Sequence, residues 1–150
     1  MEKILVSACL LGDKVKYNGK DNYIKEIEEL KQYYEIIPIC PEMMGGLSCP
    51  REPSEIFKGR VISESKKDVT YAFNKGAKQV LNIVKYLNIK KALLKEKSPS
   101  CGKSEIYDGT FTNNTIKGSG ITATALEMAG VTLYNEFEIE ELINEKKKFN

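Results

Sequence analysis

The sequence contains no histidine. This absence excludes Ser–His and Cys–His catalytic arrangements, because both need imidazole as a base. It also excludes every zinc site that needs an imidazole ligand. Four cysteines remain as candidate ligands or nucleophiles.

The sequence also lacks a long apolar run and an excess of one charge. Hydrophobic residues make up 41% of the chain and charged residues 29%, and the net charge of +2 comes from 23 basic and 21 acidic side chains. This composition predicts a folded, soluble protein without a membrane span and without a broad basic surface. We therefore expect neither a membrane nor bulk nucleic acid as a partner.

The length and the first residues predict one cytoplasmic domain. A chain of 150 residues builds one compact core but is too short for two ordinary domains, so we expect a single domain over residues 1–150. The opening stretch, MEKILVSACLLG, has a short apolar segment that alternates like a strand, and no small-residue cleavage site follows it. Export is not expected, and the cysteines are expected to be reduced.

Short apolar runs alternate with helical patterns along the chain. Strands are predicted in four segments, residues 3–8, 33–40, 89–97 and 130–136. Helices are predicted over residues 21–32, 66–88 and 118–130, with a last one within 135–150. Alternating strands and helices favour parallel β–α–β units, so we predict a single-domain, Rossmann-like α/β fold with a mostly parallel four-stranded sheet flanked by helices.

Turn-forming and capping residues mark the connections. Residues 41–59 are interpreted as a long functional loop, and Asp108–Gly109 is typical of a hairpin turn. The third helix is predicted to be capped near Ser119 or Thr122 and to stop at Gly130. The KGSG stretch before that helix is either part of a cap or an anion-binding helix N-terminus, and we favour the cap.

Three of the cysteines follow predicted strands. Cys9 comes after the first strand, Cys40 closes the second, and Cys101 lies in the loop after the third. The carboxyl ends of parallel strands share one edge of a sheet, and three adjacent strands span only about 10 Å. We therefore expect the three sulfurs to meet around one inorganic centre. Soft sulfur ligands select zinc, Cu(I) or iron–sulfur clusters, and a cubane cluster held by three cysteines leaves one iron open.

Cys49 leaves alternatives open. It lies nine positions after Cys40 in the loop, where it is either an incidental thiol or a fourth ligand. As a fourth ligand it would complete a zinc or cluster site in a non-catalytic module that serves sulfur transfer. A third hypothesis is a redox protein that cycles a disulfide between Cys40 and Cys49.

Further polar and small residues accompany the cysteines. Glu42 follows the second cysteine by two positions. It is either a proton donor or acceptor at the site, or a surface carboxylate or helix cap. Ser98 and Ser100 precede the last cysteine as turn formers, hydrogen-bond donors or proton relays. Gly45 and Gly46 permit either a tight bend or a close approach of backbone amides to a ligand. We expect Ser100 and both glycines to contact substrate.

Several motifs together resemble the thiouracil desulfidase family. The segments VSACLLG, KYNGK, CPEMMGGLSCPREPSEI, DVTYAFNKGA, LLKEKSPSCG, IYDGTF and GSGITA occur in the family's order and cover roughly residues 4–135. The resemblance implies an α/β domain with an oxygen-sensitive 4Fe-4S cluster on three cysteines. It implies that the fourth iron takes sulfur from a small thiolated nucleobase such as 2-thiouracil, giving uracil and hydrogen sulfide.

The resemblance also assigns roles to individual residues. By its motifs, the cluster ligands are Cys9, Cys40 and Cys101. Glu42 matches the acidic catalytic residue, and Ser98 matches the catalytic serine, with Ser100 as the alternative.

The chain departs from the family pattern at two positions. Cys49 stands where the family more often has threonine, and Asn18 stands where it usually has aspartate.

Overall fold

The computed structural model describes residues 1–148. Its strands are β1 (Lys3–Ser7), β2 (Glu35–Ile39), β3 (Ser54–Phe57), β4 (Arg60–Ser63), β5 (Lys91–Leu94), β6 (Glu105–Tyr107), β7 (Thr115–Lys117) and β8 (Thr132–Asn135). Its α-helices are α1 (Ile27–Leu30), α2 (Pro41–Met44), α3 (Thr70–Leu87), α4 (Ile121–Met128) and α5 (Ile139–Lys147). Within the described residues, no helix has both the length and the hydropathy that crossing a membrane requires.

Four strands form the predicted parallel sheet. Their order is β2-β1-β5-β8, and every neighbouring pair is parallel. Leu5 of β1 pairs with Ile37 on one side and with Ala92 on the other, so β1 lies between β2 and β5. The α/β fold with a four-stranded parallel sheet is confirmed. The carboxyl ends of β1, β2 and β5 share one edge, where the loops after these strands meet.

Helices cover both faces of the sheet. On one face, Leu5 packs in a core with residues of α3 and α4, and on the other, Ile4 and Val6 pack with residues of α1 and α5. All three β1 side chains are fully buried. A strand buried on both faces reads as a continuous apolar run, which is why the ILV segment stands out in the sequence.

Two predicted helices differ from the observed ones. The helix predicted over residues 21–32 is reduced to the single turn of α1, because the N–H groups of Asn22 and Ile24 donate to the carbonyls of Cys9 and Leu10 in the loop after β1. The helix predicted over residues 66–88 starts only at Thr70. The last helix, predicted within 135–150, is observed as α5, and residues 149–150 of that segment lie outside the described residues.

The N-terminal cap of α4 differs from the prediction. Gly120 occupies the cap position, and no side chain caps the helix. Ser119 donates instead to the Lys103 carbonyl, and the Thr122 hydroxyl is hydrogen-bonded to Ser100. Gly130 follows the helix with φ of 87°, consistent with the predicted stop.

The segment 41–59 is ordered into short elements. It contains α2 and β3, and β3 pairs with β4 in an antiparallel hairpin. The hairpin predicted at Asp108–Gly109 is present as β6 and β7, joined by residues 108–114 instead of a two-residue turn.

Two glycines allow α2 to lie directly against α3. A Cβ atom on Gly45 would overlap the carbonyl of Ala72, and a Cβ atom on Gly76 would overlap the carbonyl of Pro41. Gly76 therefore permits a close contact between the backbones of α2 and α3. The free energy lost with this contact is larger than the free energy gained by a residue of better helix propensity. This packing sets the position of the residues that follow β2.

We expect Gly76→Ala to lower the free energy of unfolding by about 1–3 kcal/mol, because the added methyl group overpacks the α2–α3 contact. Helix propensity alone predicts the opposite sign, a gain of about 1 kcal/mol. Urea unfolding followed by circular dichroism measures the difference. Asn74→Ala, at an exposed position of the same helix, is the control and should change stability little. A Gly76→Ala variant more stable than the wild type would contradict the packing argument.

Candidate functional site

A cavity of about 400 Å³ opens at the carboxyl edge of the sheet. Its lining includes the three cysteines that follow β1, β2 and β5, which are Cys9, Cys40 and Cys101. Glu42 and Ser98 also line it. Five of the predicted site residues, from three separate parts of the chain, therefore border one space.

The three thiols lie in an environment that opposes free thiolates. Cys101 is 5% exposed, and its burial raises the pKa of its thiol to about 12, although the Ser7 hydroxyl opposes this shift. Burial also raises the pKa of Cys9 and of Cys40, and Cys9 and Cys40 further raise the pKa of Cys101 by their charge. A metal centre bound between them would favour the thiolate forms, because metal binding releases thiol protons.

The donor set fits an iron–sulfur cluster. Within residues 1–148, no three Cys, Asp or Glu side chains are close enough to surround a single metal ion. A cluster binds each thiolate on a different iron, so its cysteines border a volume instead of converging on a point. Three sulfur donors around one cavity are consistent with that requirement.

Glu42 is held at the cavity by an arginine that the sequence analysis missed. Burial raises the pKa of the Glu42 carboxyl, and the guanidinium of Arg51 opposes this shift from 3.5 Å away. Arg51 also donates to the carbonyls of Val15 and Ser48 at 2.9 and 3.1 Å. It therefore connects Glu42 to two loops. Two sequence signals could have found it: Arg51 is one of two arginines in the chain, and it lies in the segment CPEMMGGLSCPREPSEI that resembles the family.

Ser98 closes the turn that carries Cys101. Its hydroxyl oxygen accepts the N–H groups of Ser100 at 3.1 Å and of Cys101 at 2.9 Å, and its carbonyl accepts the N–H of Gly102. Both oxygen lone pairs of the hydroxyl are engaged, so its hydrogen is the part left to donate. Ser98 thus combines the turn-forming role with a position in the cavity lining.

The predicted substrate contacts at Ser100, Gly45 and Gly46 lie outside the cavity lining. Ser100 is 1% exposed, and its hydroxyl is bonded to Thr122 at 2.9 Å. Gly45 packs against α3, as described above, and Gly46 forms a bend with φ of 99°. These three residues therefore have structural contacts in the fold, and their contact with substrate stays a prediction.

The N-terminus of α4 holds the Cys101 loop and has no free site for an anion. The N–H of Ile121 donates to Pro99, and those of Thr122 and Ala123 donate to Ser100. Carbonyls of this loop therefore accept the first N–H groups of the helix. The alternative that this N-terminus binds an anion is wrong.

Cys49 also lies outside the cavity lining. Its thiol donates to the carbonyls of Lys14 at 3.3 Å and Lys16 at 3.4 Å. These contacts anchor the loop after β1, so the structure does not support a four-thiol site that includes Cys49. All four cysteines are free, including the pair proposed for a redox disulfide. Asn18 accepts the N–H of Lys20 in a local turn.

A buried carboxylate that the sequence analysis missed organises the Cys101 loop. Glu96 is 4% exposed. One of its oxygens accepts the backbone N–H groups of Lys97, Lys103, Ser104 and Glu105 at 2.8–3.4 Å, and the other accepts the Asn135 amide at 2.6 Å. Glu96 therefore fixes both ends of the loop to the end of β8. Burial raises the pKa of this carboxyl, but the hydrogen bonds outweigh burial and leave the pKa below its ordinary value.

We expect Glu96→Gln to lower the free energy of unfolding by about 2–3 kcal/mol at pH 7, because amides accept hydrogen bonds more weakly than carboxylates do. The pKa of Glu96 is lowered on folding, so its stabilising effect is present above the ordinary value of 4.5 and is lost as pH falls through the folded value. The difference in the free energy of unfolding between wild type and variant should therefore become smaller as the pH is lowered. Urea unfolding from pH 7 to pH 3 measures it, with exposed Glu127→Gln as control. A difference independent of pH would contradict this role.

Comparison with known proteins connects this geometry to a family. The model of a family described as 2-thiouracil desulfurase matches residues 4–138. The Bacillus subtilis (strain 168) protein YbbK, described as uncharacterized, is 39% identical over 150 residues, covering 93% of this chain and 99% of its own. A solved structure of the 4Fe-4S-dependent thiouracil desulfidase TudS is similar with a TM-score of 0.90, 40% identity and 95% coverage of both chains. The chain therefore belongs to the 2-thiouracil desulfurase family.

Proposed function

We propose that the protein is a cytoplasmic, single-domain, iron–sulfur-dependent desulfidase. It removes sulfur from a thiolated nucleobase such as 2-thiouracil and releases uracil and hydrogen sulfide. The observation that carries the proposal is the cavity bordered jointly by Cys9, Cys40 and Cys101. Similarity to TudS, a 4Fe-4S-dependent thiouracil desulfidase, supports the same cofactor and reaction class.

Cys9, Cys40 and Cys101 would each hold one iron of a 4Fe-4S cluster. Three ligands for four irons leave one iron without a protein ligand, since Cys49 is engaged elsewhere. When bound, the cluster would supply Lewis-acid chemistry toward the exocyclic sulfur of the substrate.

The chain itself supplies proton transfer. The reaction exchanges the C=S bond of the substrate for C=O, takes oxygen and two protons from water, and transfers no net electrons. Glu42, buried and paired with Arg51, is suited to accept a proton from the attacking water and return it to the departing sulfur. Ser98 is suited to donate its hydroxyl hydrogen to the reacting group.

Anaerobic reconstitution with iron and sulfide, followed by incubation with 2-thiouracil, tests the function. We expect iron and acid-labile sulfide in the protein, and uracil and hydrogen sulfide in equal amounts, as measured by chromatography and a colorimetric sulfide assay. Protein stripped of iron by a chelator is the control. A fully loaded protein that forms no uracil would contradict this substrate, and tightly held zinc without iron would favour a non-catalytic metal-binding module.

A further inference from the structure

The cavity is also lined by residues from the two hairpins, and one of them is Phe111 in the loop 108–114. Phe111 has a φ of 58°. A bulky aromatic residue is unfavourable in this left-handed region, and such conformations persist where the surrounding structure enforces them. Strain of this kind clusters at ligand sites, so the contacts that maintain it indicate what the loop does.

A buried carboxylate from the other hairpin holds Phe111 in this conformation. Glu55 of β3 is 8% exposed and accepts the N–H of Phe111 at 3.1 Å and the N–H of Gly109 at 3.0 Å. Both bonds go to the same carboxylate oxygen, so Glu55 ties the middle of the loop to the sheet of the neighbouring hairpin.

Two further contacts limit the movement of the loop. A Cβ atom on Gly109 would lie 2.7 Å from the Ile56 carbonyl, so the loop backbone rests directly on β3. The ammonium group of Lys66 lies 5.2 Å from the centroid of the Phe111 ring, within the range of a cation–π contact. Contacts to the backbone of Phe111 and to its ring therefore hold this residue at the border of the cavity.

We propose that Phe111 is the stacking platform for the planar ring of the substrate and that Glu55 is the positioning residue that presents it. This inference rests on the proposed desulfidase function. A nucleobase offers a flat π-face in addition to its reactive sulfur, and aromatic side chains bind such faces without reading the substituents of the ring. A preorganised ring loses little conformational freedom on binding, which explains why the strained backbone of Phe111 is maintained.

Steady-state kinetics of the reconstituted enzyme with 2-thiouracil test the platform. We expect Phe111→Leu to raise KM by about 5- to 150-fold, the range typical of lost base–aromatic stacking, with kcat changed less than KM. Leucine is also a bulky residue, so the positive φ at this position costs a similar free energy in both proteins. The variant therefore tests the loss of the aromatic face alone. Phe111→Tyr keeps an aromatic ring and should stay near the wild-type KM. Iron and acid-labile sulfide content should be unchanged in both.

Glu55 and Phe137 supply the matched variants. Glu55→Ala should raise KM as Phe111→Leu does, whereas Glu55→Gln retains a carbonyl acceptor and should keep KM close to the wild-type value. Phe137→Leu makes the same aromatic-to-aliphatic change at an exposed residue outside the cavity lining and should leave KM unchanged. An unchanged KM in Phe111→Leu, or a loss of iron in that variant, overturns this inference. A wild-type enzyme that loads iron but forms no uracil overturns the proposed function instead.

Discussion

Replacing Cys101 with alanine is expected to abolish both cluster loading and uracil formation. The thiol is buried at the cavity, and its loss leaves Cys9 and Cys40 as the only sulfur donors in the lining. Losing an outer-shell partner of a metal ligand already costs about 10–100-fold in affinity or activity, so losing a ligand should cost more than 100-fold. Iron and acid-labile sulfide per chain after anaerobic reconstitution, together with the visible absorbance of the cluster, measure the effect.

Cys49→Ala is the matched control for that experiment. It removes the same chemical group from a thiol whose contacts are the carbonyls of Lys14 and Lys16. We expect full iron content and activity close to that of the wild type, because the anchoring of one loop is weakened without removal of a ligand. Equal loss of iron in the two variants would contradict the three-ligand assignment and would favour a four-thiol site.

Glu42→Gln should retain the cluster and lose turnover. The amide preserves the shape of the side chain and its contact with Arg51 but cannot accept the proton of an attacking water. A positioned general acid–base group contributes about 10²- to 10⁴-fold, so kcat should fall by that factor. Single-turnover formation of uracil at equal iron content measures the chemical step.

Two comparisons separate loss of proton transfer from other causes. Glu127→Gln, an exposed change on α4 outside the cavity lining, should leave kcat unchanged. If Glu42→Gln forms uracil at the wild-type rate while fully loaded with iron, Glu42 is not the proton-transfer group. If that variant loses iron, the carboxylate acts mainly in building the site.

The sequence by itself determined the fold class and which three cysteines border the same cavity. Apolar runs of strand length alternate with helical patterns, and this alternation depends on the local periodicity of each segment. Cys9, Cys40 and Cys101 follow three strands that are neighbours in the sheet, and parallel strands bring their carboxyl ends to one edge. Position relative to a strand end was therefore sufficient to predict that the three thiols border one cavity.

Only the tertiary structure decided which contacts Cys49, Glu96 and Gly45 make. Cys49 contacts residues that precede it by 35 and 33 positions, and Glu96 contacts Asn135, which is 39 positions further along the chain. Gly45 likewise fits against a helix that follows it in the chain. Hydrogen bonds and close packing between distant segments leave no periodic pattern in the sequence, because their partners are set by how the elements pack. For this reason it could be predicted from the sequence that the three cysteines border one cavity, whereas the contacts of Cys49, Glu96 and Gly45 required the folded chain.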